Sequence, residues 1–237
     1  MYFYRILTPI KAITFDLDDT LYENHSVIYK TEEKLLLFIR KYDTRFNNIN
    51  NNDLHKFRKI IKKQIPEISH DITELRRLST EMMFYKYGYN HEKTIKGTNE
   101  IMSKFTFWRN QINIPESTYI ILEKLVKKFP LVAITNGNAD PKIFGLDKYF
   151  QFVLKAGING RLKPSKDMYL LATKQLGIEP KFILHVGDNL ITDIKGAINS
   201  GMQACWINSN KKKLINTKNI CIPHVEIHHL SSLLYIT

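Results

Sequence analysis

Four carboxylates, a threonine and a lysine stand just past short apolar runs, and their types suit one kind of chemistry. Asp16 and Asp18 flank Leu17 in Phe15-Asp16-Leu17-Asp18-Asp19-Thr20-Leu21. Thr135 and Asn136 end Ile134-Thr135-Asn136-Gly137, Lys163 lies in Arg161-Leu162-Lys163-Pro164, and Asp188 and Asp193 frame Gly187-Asp188-Asn189-x3-Asp193. A turn after a strand brings both carboxylates of the D-x-D pair toward one small volume, where they repel each other. With Asp188 and Asp193 added, such a cluster is tolerable around a cation. Hard oxygen donors with open positions suit Mg2+, which keeps waters and recruits phosphate oxygens. Lys163 supplies a further fixed positive charge, while the Thr135 hydroxyl and the N–H groups near Asn136 can donate to phosphoryl oxygens. The set describes a site for a small phosphorylated metabolite.

Each motif alone is common, so the elements that carry them matter. Apolar runs at 12–17, 131–135, 152–155, 182–186 and 203–207 read as buried strands without strict alternation. Near-continuous apolar strands separated by helical patterns predict an α/β fold with a Rossmann-like, doubly wound parallel sheet, and such sheets place sites at the carboxyl ends of their strands. Helices are predicted at 117–128, from Pro164 to a stop at Gly177, and over 193–200 ahead of Gly201. Asp16 and Thr135, however, stand 119 positions apart, where one βαβ unit needs only about 30. Helical patterns fill that interval: Ile28, Leu35, Phe38, Ile39 and Tyr42; Leu54, Phe57, Ile60 and Ile61; Ile72, Leu75, Leu78 and Met82. Asp53 and Asp71 stand at N-cap positions, with Glu74 three residues after Asp71. The tract NNINNN at 47–52 reads as a dispensable loop. The expectation is a catalytic core of residues 1–22 and 111–237, with an all-helical cap at 23–110.

Composition excludes several classes. The 237 residues are 43% hydrophobic, enough for one full core and a second small one. No apolar run approaches a membrane span, and the start lacks the apolar stretch of a signal peptide, so a cytoplasmic protein without membrane partners is expected. Cys205 and Cys221 fit neither a disulfide framework nor a zinc site and read as buried free thiols. Lys+Arg total 35 against 23 Asp+Glu, a formal charge of +12 that attracts anions in general. No recognition-helix, RNP-like or zinc-finger pattern accompanies that charge, and it is spread along the chain, so no nucleic-acid partner is expected; a basic nucleic-acid-binding protein with a vestigial site is the alternative from another class. Oligomeric state is not legible.

The four motifs in this order, DLDDT, a strand ending in Thr, Lys-Pro and GDN-x3-D, resemble the haloacid dehalogenase-like hydrolase superfamily, whose helical cap the insert also resembles. Within it, YFYRILTPIKAITFDLDDTLYEN, PLVAITNGNADPKIFGLDKYF and ILHVGDNLITDIKGAINSGMQACWI are similar to bacterial flavin mononucleotide (FMN) phosphatases that also act on 5-amino-6-(5-phospho-D-ribitylamino)uracil in riboflavin synthesis. The resemblance implies Asp16 as nucleophile and Asp18 as acid and then base. It implies Mg2+ held by the Asp16 carboxylate, the Asp18 backbone carbonyl and Asp188, with Asp193 in support. Thr135, Asn136 and Lys163 would hold the phosphoryl oxygens, and Leu17 would share the substrate-binding turn with Asp16 and Asp18. Asp18 favours phosphate chemistry, because dehalogenases lack a carboxylate there and a halide leaves without an acid. A different metabolite phosphatase or a phosphomutase, for a sugar phosphate or nucleotide, is the alternative among enzymes.

Other residues compete for a role. His185 lies in an apolar strand and reads as a core residue, and His224, His228 and His229 lack companion ligands at metal spacing. In the insert, Trp108, Phe107, Tyr85 and Tyr87 could stack on a substrate ring and Arg76 or Arg77 could meet its polar edge, although aromatic residues in a helical domain ordinarily pack its core.

Overall fold

In the computed structural model, residues 1–209 and 221–236 are described. The predicted core segment 111–237 therefore includes stretches, 210–220 and 237, that lie outside the described residues. The chain divides into two compact units, one of Met1–Glu23, Asn113–Gly137 and Pro141–Thr237, the other of Asn24–Ile112 with Asn138–Asp140.

The first unit is built on a sheet of seven strands. In chain order these are β1 (Tyr2–Phe3), β2 (Ala12–Phe15), β3 (Leu131–Thr135), β4 (Phe152–Lys155), β5 (Ile183–Gly187), β6 (Gln203–Ile207) and β7 (Val225–Ile227). Their order across the sheet is β1-β7-β6-β5-β2-β3-β4, all parallel except the β1–β7 pair. Every residue of β2, β3, β5 and β6 is buried, as strands covered on both faces require. One face, including Ala12, Val132, Ile134, Leu154, Ile183, Ala204 and Trp206, packs against Met168, Tyr169 and Ala172, and against Ile194 and Ala197. From β2 the chain steps first to β3 and β4 on one side and later to β5, β6 and β7 on the other, so its winding reverses beside β2, the place where such sheets bind ligands.

The second unit is helical: α1 (His25–Tyr42), α2 (Asn51–Gln64), α3 (Ile72–Lys86) and α4 (His91–Arg109). Its core joins Leu35 and Ile39, Phe57, Met83 and Phe84, and Ile101 and Phe105 around Phe46 and Tyr89, whose rings stack with centroids 5.5 Å apart. In the first unit the helices are α5 (Glu116–Val126), α6 (Asp167–Leu176) and α7 (Gly196–Asn199), the last preceded by a π-helical turn at Leu190–Lys195.

Several expectations need correction. Pro164 does not open a helix: the Lys163–Pro164 bond is cis and α6 starts at Asp167, because 161–166 form the loop that carries Lys163 inward. The helix expected from Asp193 begins earlier, where the Asn189 side chain accepts from the N–H groups of Ile191 and Thr192. Asp53 is not an N-cap but the third residue of α2, completing a capping box with Asn50, whereas Asp71 does cap α3. The tract 47–52 is not dispensable, since Ile49 is in the helical core and its carbonyl accepts from Arg40 Nε at 2.8 Å. Cys205 is buried but Cys221 only half-buried. Among the described residues no helix is long and apolar enough to cross a membrane.

Candidate active site

β2 lies between β3 and β5, so Asp16, Thr135 and Asp188 emerge side by side from neighbouring carboxyl ends. Asp16 is 6% exposed. Its Oδ1 accepts from Lys163 Nζ at 2.6 Å and its Oδ2 from the Thr20 hydroxyl at 3.2 Å. Lys163 Nζ also donates to Asp193 Oδ1 at 2.6 Å and to the Ile134 carbonyl at 2.7 Å, so all three of its protons are directed at acceptors.

The loop around Lys163 is tied to β3 by a reciprocal pair. The Lys163 N–H donates to Asn136 Oδ1 at 2.7 Å and Asn136 Nδ2 donates to the Lys163 carbonyl at 3.0 Å. The Asn136 side chain is thus committed to placing the lysine. Thr135 Oγ1 accepts from the Gly137 N–H at 2.9 Å. Leu17 is buried and its carbonyl closes the turn by accepting from Leu21 N at 2.9 Å.

Asp193 sits in the π-helical turn, where Oδ2 accepts from the Asn189 N–H at 3.0 Å. A Cβ on Gly187 would lie 2.4 Å from the Asp193 Cβ; only glycine lets the turn pack this closely against the end of β5. Gly137 does the same for Asp18, whose Oδ2 would lie 2.2 Å from an added Cβ. Asp18 is half-buried and its Oδ1 accepts from the Tyr22 hydroxyl at 2.8 Å.

Oxygens of Asp16, Asp188 and Asp193 lie within 4.8 Å of one another, the group among the described residues that could hold a metal ion. The electrostatics are those of a site short of positive charge. Burial pushes Asp16 well above the usual carboxylate range and Asp193 adds to that, against the opposing pull of Lys163. Asp188 is pushed up to about 6 by burial and by the charges of Asp193 and Asp19. Burial also opposes ionisation of Asp193, but Lys163 and His185 outweigh it and hold this carboxyl below its usual range. The two carboxylates likewise hold the Lys163 ammonium charged despite its burial.

The sequence reading brought together Asp16, Asp18, Thr135, Asn136, Lys163, Asp188 and Asp193 at these strand ends, but missed Tyr22, Thr20 and the two glycines. A tyrosine four residues after Asp18 was the available signal. His185 is in the core as expected, yet its Nδ1 lies 2.8 Å from Thr14 Oγ1 and its Nε2 3.6 Å from Asp193 Oδ1. His224 Nδ1 accepts from the Ala204 N–H and His228 Nδ1 lies 2.9 Å from the Asn208 carbonyl. In the helical unit, Trp108 meets Phe38 edge-on and Tyr87 meets Phe46. Arg76 pairs with Glu32 and covers the Phe105 ring, and Arg77 pairs with Glu74 and Glu81. Those four serve that unit's own packing, while Phe107 and Tyr85 are exposed.

Comparison with known proteins agrees with this arrangement. The haloacid dehalogenase-like hydrolase family matches residues 10–201. The chain is 47% identical over 234 residues, 98% of each sequence, to the 5-amino-6-(5-phospho-D-ribitylamino)uracil phosphatase YigB of Escherichia coli (strain K12). It is 24% identical to the N-acylneuraminate-9-phosphatase of Homo sapiens, covering 92% of this chain and 90% of that one. Among solved structures, a 2-haloacid dehalogenase from Pseudomonas syringae pv. Tomato DC3000 superposes with a TM-score of 0.91 at 32% identity, covering 96% of this chain and 97% of that one. The chain belongs to the haloacid dehalogenase-like hydrolase family, and within it is a phosphatase.

Proposed function

We propose that the protein hydrolyses small phosphomonoesters through an aspartyl-phosphate on Asp16, with 5-amino-6-(5-phospho-D-ribitylamino)uracil as its substrate in riboflavin biosynthesis and FMN accepted by the same site. The observation that carries the chemistry is the Asp16 carboxylate, buried just past the carboxyl end of β2 and held by Lys163 Nζ at 2.6 Å. The 47% identity to the E. coli ribitylaminouracil phosphatase over nearly the full length supports the first of these substrates.

The donor set fits Mg2+. Asp16, Asp188 and Asp193 together with Lys163 carry three negative charges against one positive, and an all-oxygen site two positive charges short suits a hard divalent cation. The Asp16 and Asp188 carboxylates and the Asp18 carbonyl would hold it, with Asp193 in support, and it would keep Asp16 ionised and offset phosphoryl charge. An Asp16 oxygen then attacks phosphorus while the bond from phosphorus to the ester oxygen breaks, and Asp18 gives that oxygen its proton. Water next attacks the aspartyl-phosphate, Asp18 takes a proton from it, and inorganic phosphate leaves with Asp16 restored. Thr135 and the backbone at Leu17 and Asn136 hold the phosphoryl oxygens during both steps, while Lys163, its three protons taken by Asp16, Asp193 and the Ile134 carbonyl, contributes its charge.

A dehalogenase, the activity carried in the name of the Pseudomonas relative, is the second reading. It expels a halide that needs no proton, and a carboxylate fixed at Asp18 would then have no task. Release of inorganic phosphate from a panel of phosphorylated metabolites, with and without Mg2+, tests the proposal. The expected result is Mg2+-dependent release, highest kcat/KM for the ribitylaminouracil phosphate and FMN, and loss of essentially all turnover in a folded Asp16→Asn variant. Halide release from 2-haloacids instead of phosphate release would overturn the chemistry, and a flat profile across the panel would overturn the substrate.

A further inference from the structure

We propose that Tyr22 is the positioning residue that sets which oxygen of Asp18 carries the transferable proton; this deepens the reading of Asp18 as acid and base and rests on it. Asp18 and Tyr22 face each other across a tight turn in which Asp19 adopts φ +60° and the backbones at 18 and 22 form a bridge. The turn is anchored from outside, since the Leu21 carbonyl accepts from the Thr118 hydroxyl at 2.9 Å. Tyr22 is 3% exposed and its ring meets Phe144 edge-on with centroids 5.5 Å apart. The phenol is therefore held in place and donates to Asp18 Oδ1 at 2.8 Å.

A half-buried carboxylate on a turn has two oxygens that exchange by rotation. Here they are made unequal. Oδ1 accepts from the phenol, while Oδ2 lies against Gly137, 2.2 Å from where a Cβ on that residue would stand. When Asp18 is a neutral acid, the phenol donates to the carbonyl-type oxygen, so the acid's own proton resides on Oδ2. That proton passes from Oδ2 to the leaving oxygen as the bond to phosphorus breaks, and Oδ2 later takes one from the attacking water. Tyr22 keeps its proton throughout and touches neither substrate nor the reacting atoms. Without the phenol the carboxyl group can turn, and the proton spends only part of its time on the oxygen that faces the reaction.

The readout is leaving-group dependence, which a packing role would not move. kcat/KM is measured for a series running from p-nitrophenyl phosphate, whose phenolate leaves with little help, to alkyl phosphates, whose alkoxides need a proton. Tyr22→Phe keeps the ring against Phe144 and deletes one charge-assisted hydrogen bond. Its kcat/KM should fall about tenfold for alkyl phosphates and less than about twofold for p-nitrophenyl phosphate. Phe144→Leu, which frees the ring, should shift the series in the same direction. In an Asp18→Asn background, Tyr22→Phe should cause no further loss. Equal proportional losses on both substrate types in Tyr22→Phe, a gain in activity, or full additivity with Asp18→Asn would overturn the role of Tyr22. Wild-type alkyl phosphatase activity in Asp18→Asn itself would instead overturn the reading of Asp18.

Discussion

Lys163→Met separates charge from bulk at the centre of the site. Read from sequence, this lysine stands on a loop ahead of a proline, and its removal should leave the fold intact. The structure reverses that expectation, because Lys163 is 3% exposed and its ammonium bridges Asp16 and Asp193 at 2.6 Å each. Methionine keeps most of the stem, but it strands two desolvated carboxylates within 4.8 Å of each other. Removing one partner of a buried ion pair costs about 3–5 kcal/mol. For a chain of this size each kcal/mol lowers Tm by roughly 2–4 °C, so a fall of roughly 6–20 °C is expected. The pH dependence has a definite sign. In the wild type the folded Asp193 pKa is depressed, so its contribution is present above the ordinary carboxylate range and is lost as pH falls. The folded Lys163 pKa is raised, so its contribution is complete at neutral pH and is lost only as pH rises through that pKa. In the variant, Asp16 loses the charge that opposes its rise and Asp193 keeps only His185 against its burial, so both folded pKa values are expected to move up. The native variant then binds more protons than the native wild type, and its stability deficit narrows as pH falls. Urea unfolding at pH 5 to 8, followed by the fluorescence of Trp206, buried in the sheet, in a Trp108→Phe background reports this directly. A loss under about 1 kcal/mol at pH 7.5, or a gap to wild type that widens on acidification, would refute the charge argument.

Two further predictions follow from the same geometry. Gly137→Ala drives a Cβ to 2.2 Å from Asp18 Oδ2 and 3.2 Å from Thr135 Oγ1; displacing the acid by about 1 Å should lower kcat by about 10²-fold while Tm barely moves, and steady-state kinetics on an alkyl phosphate would show otherwise if the carboxylate tolerates the shift. Mg2+ binding to the substrate-free protein, measured by calorimetry, should weaken as pH falls toward and below about 6, because Asp188, pushed up to about 6, and Asp16, pushed well above the usual carboxylate range, must each lose a proton to act as ligands. Affinity independent of pH from 5 to 8 would remove Asp188 from the ligand set.

How much of the fold could be read depended on what buries each element. The apolar runs 131–135 and 203–207 coincide with β3 and β6, since strands covered on both faces are largely apolar, and the run 152–155 coincides with β4 at the sheet edge, where only Leu154 is fully buried. β1 and β7 escaped notice, being two and three residues long. The middle residue of β7, Glu226, is buried only because Tyr4 and Asn208, both remote in sequence, hydrogen-bond its carboxylate. α4 is dim for a different reason. Part of its buried face is Thr94, Gly97 and Thr98, residues without the hydrophobic contrast that a 3.6-residue period needs in order to show. In the asparagine tract, low complexity concealed Ile49, an apolar residue that belongs to the helical core.

The site was legible as a set of residue types in order, whereas their relative depth was not. Nothing local distinguishes Lys163 from the other lysines of a basic chain, and its burial is decided by Asn136, which grips its backbone from another strand end. The same contrast bears on the charge of +12. Exposed charges are screened beyond about 8 Å at physiological salt, so the basic surface can draw a phosphate dianion near the protein without binding it in the site. There the dianion meets Asp16, Asp188 and Asp193 against one ammonium already committed to three acceptors. The global excess of lysine therefore cannot substitute for local positive charge, and the deficit of two that a divalent cation would fill is set by four side chains, Asp16 just past β2, Asp188 just past β5, Asp193 in the π-helical turn and Lys163 on its loop.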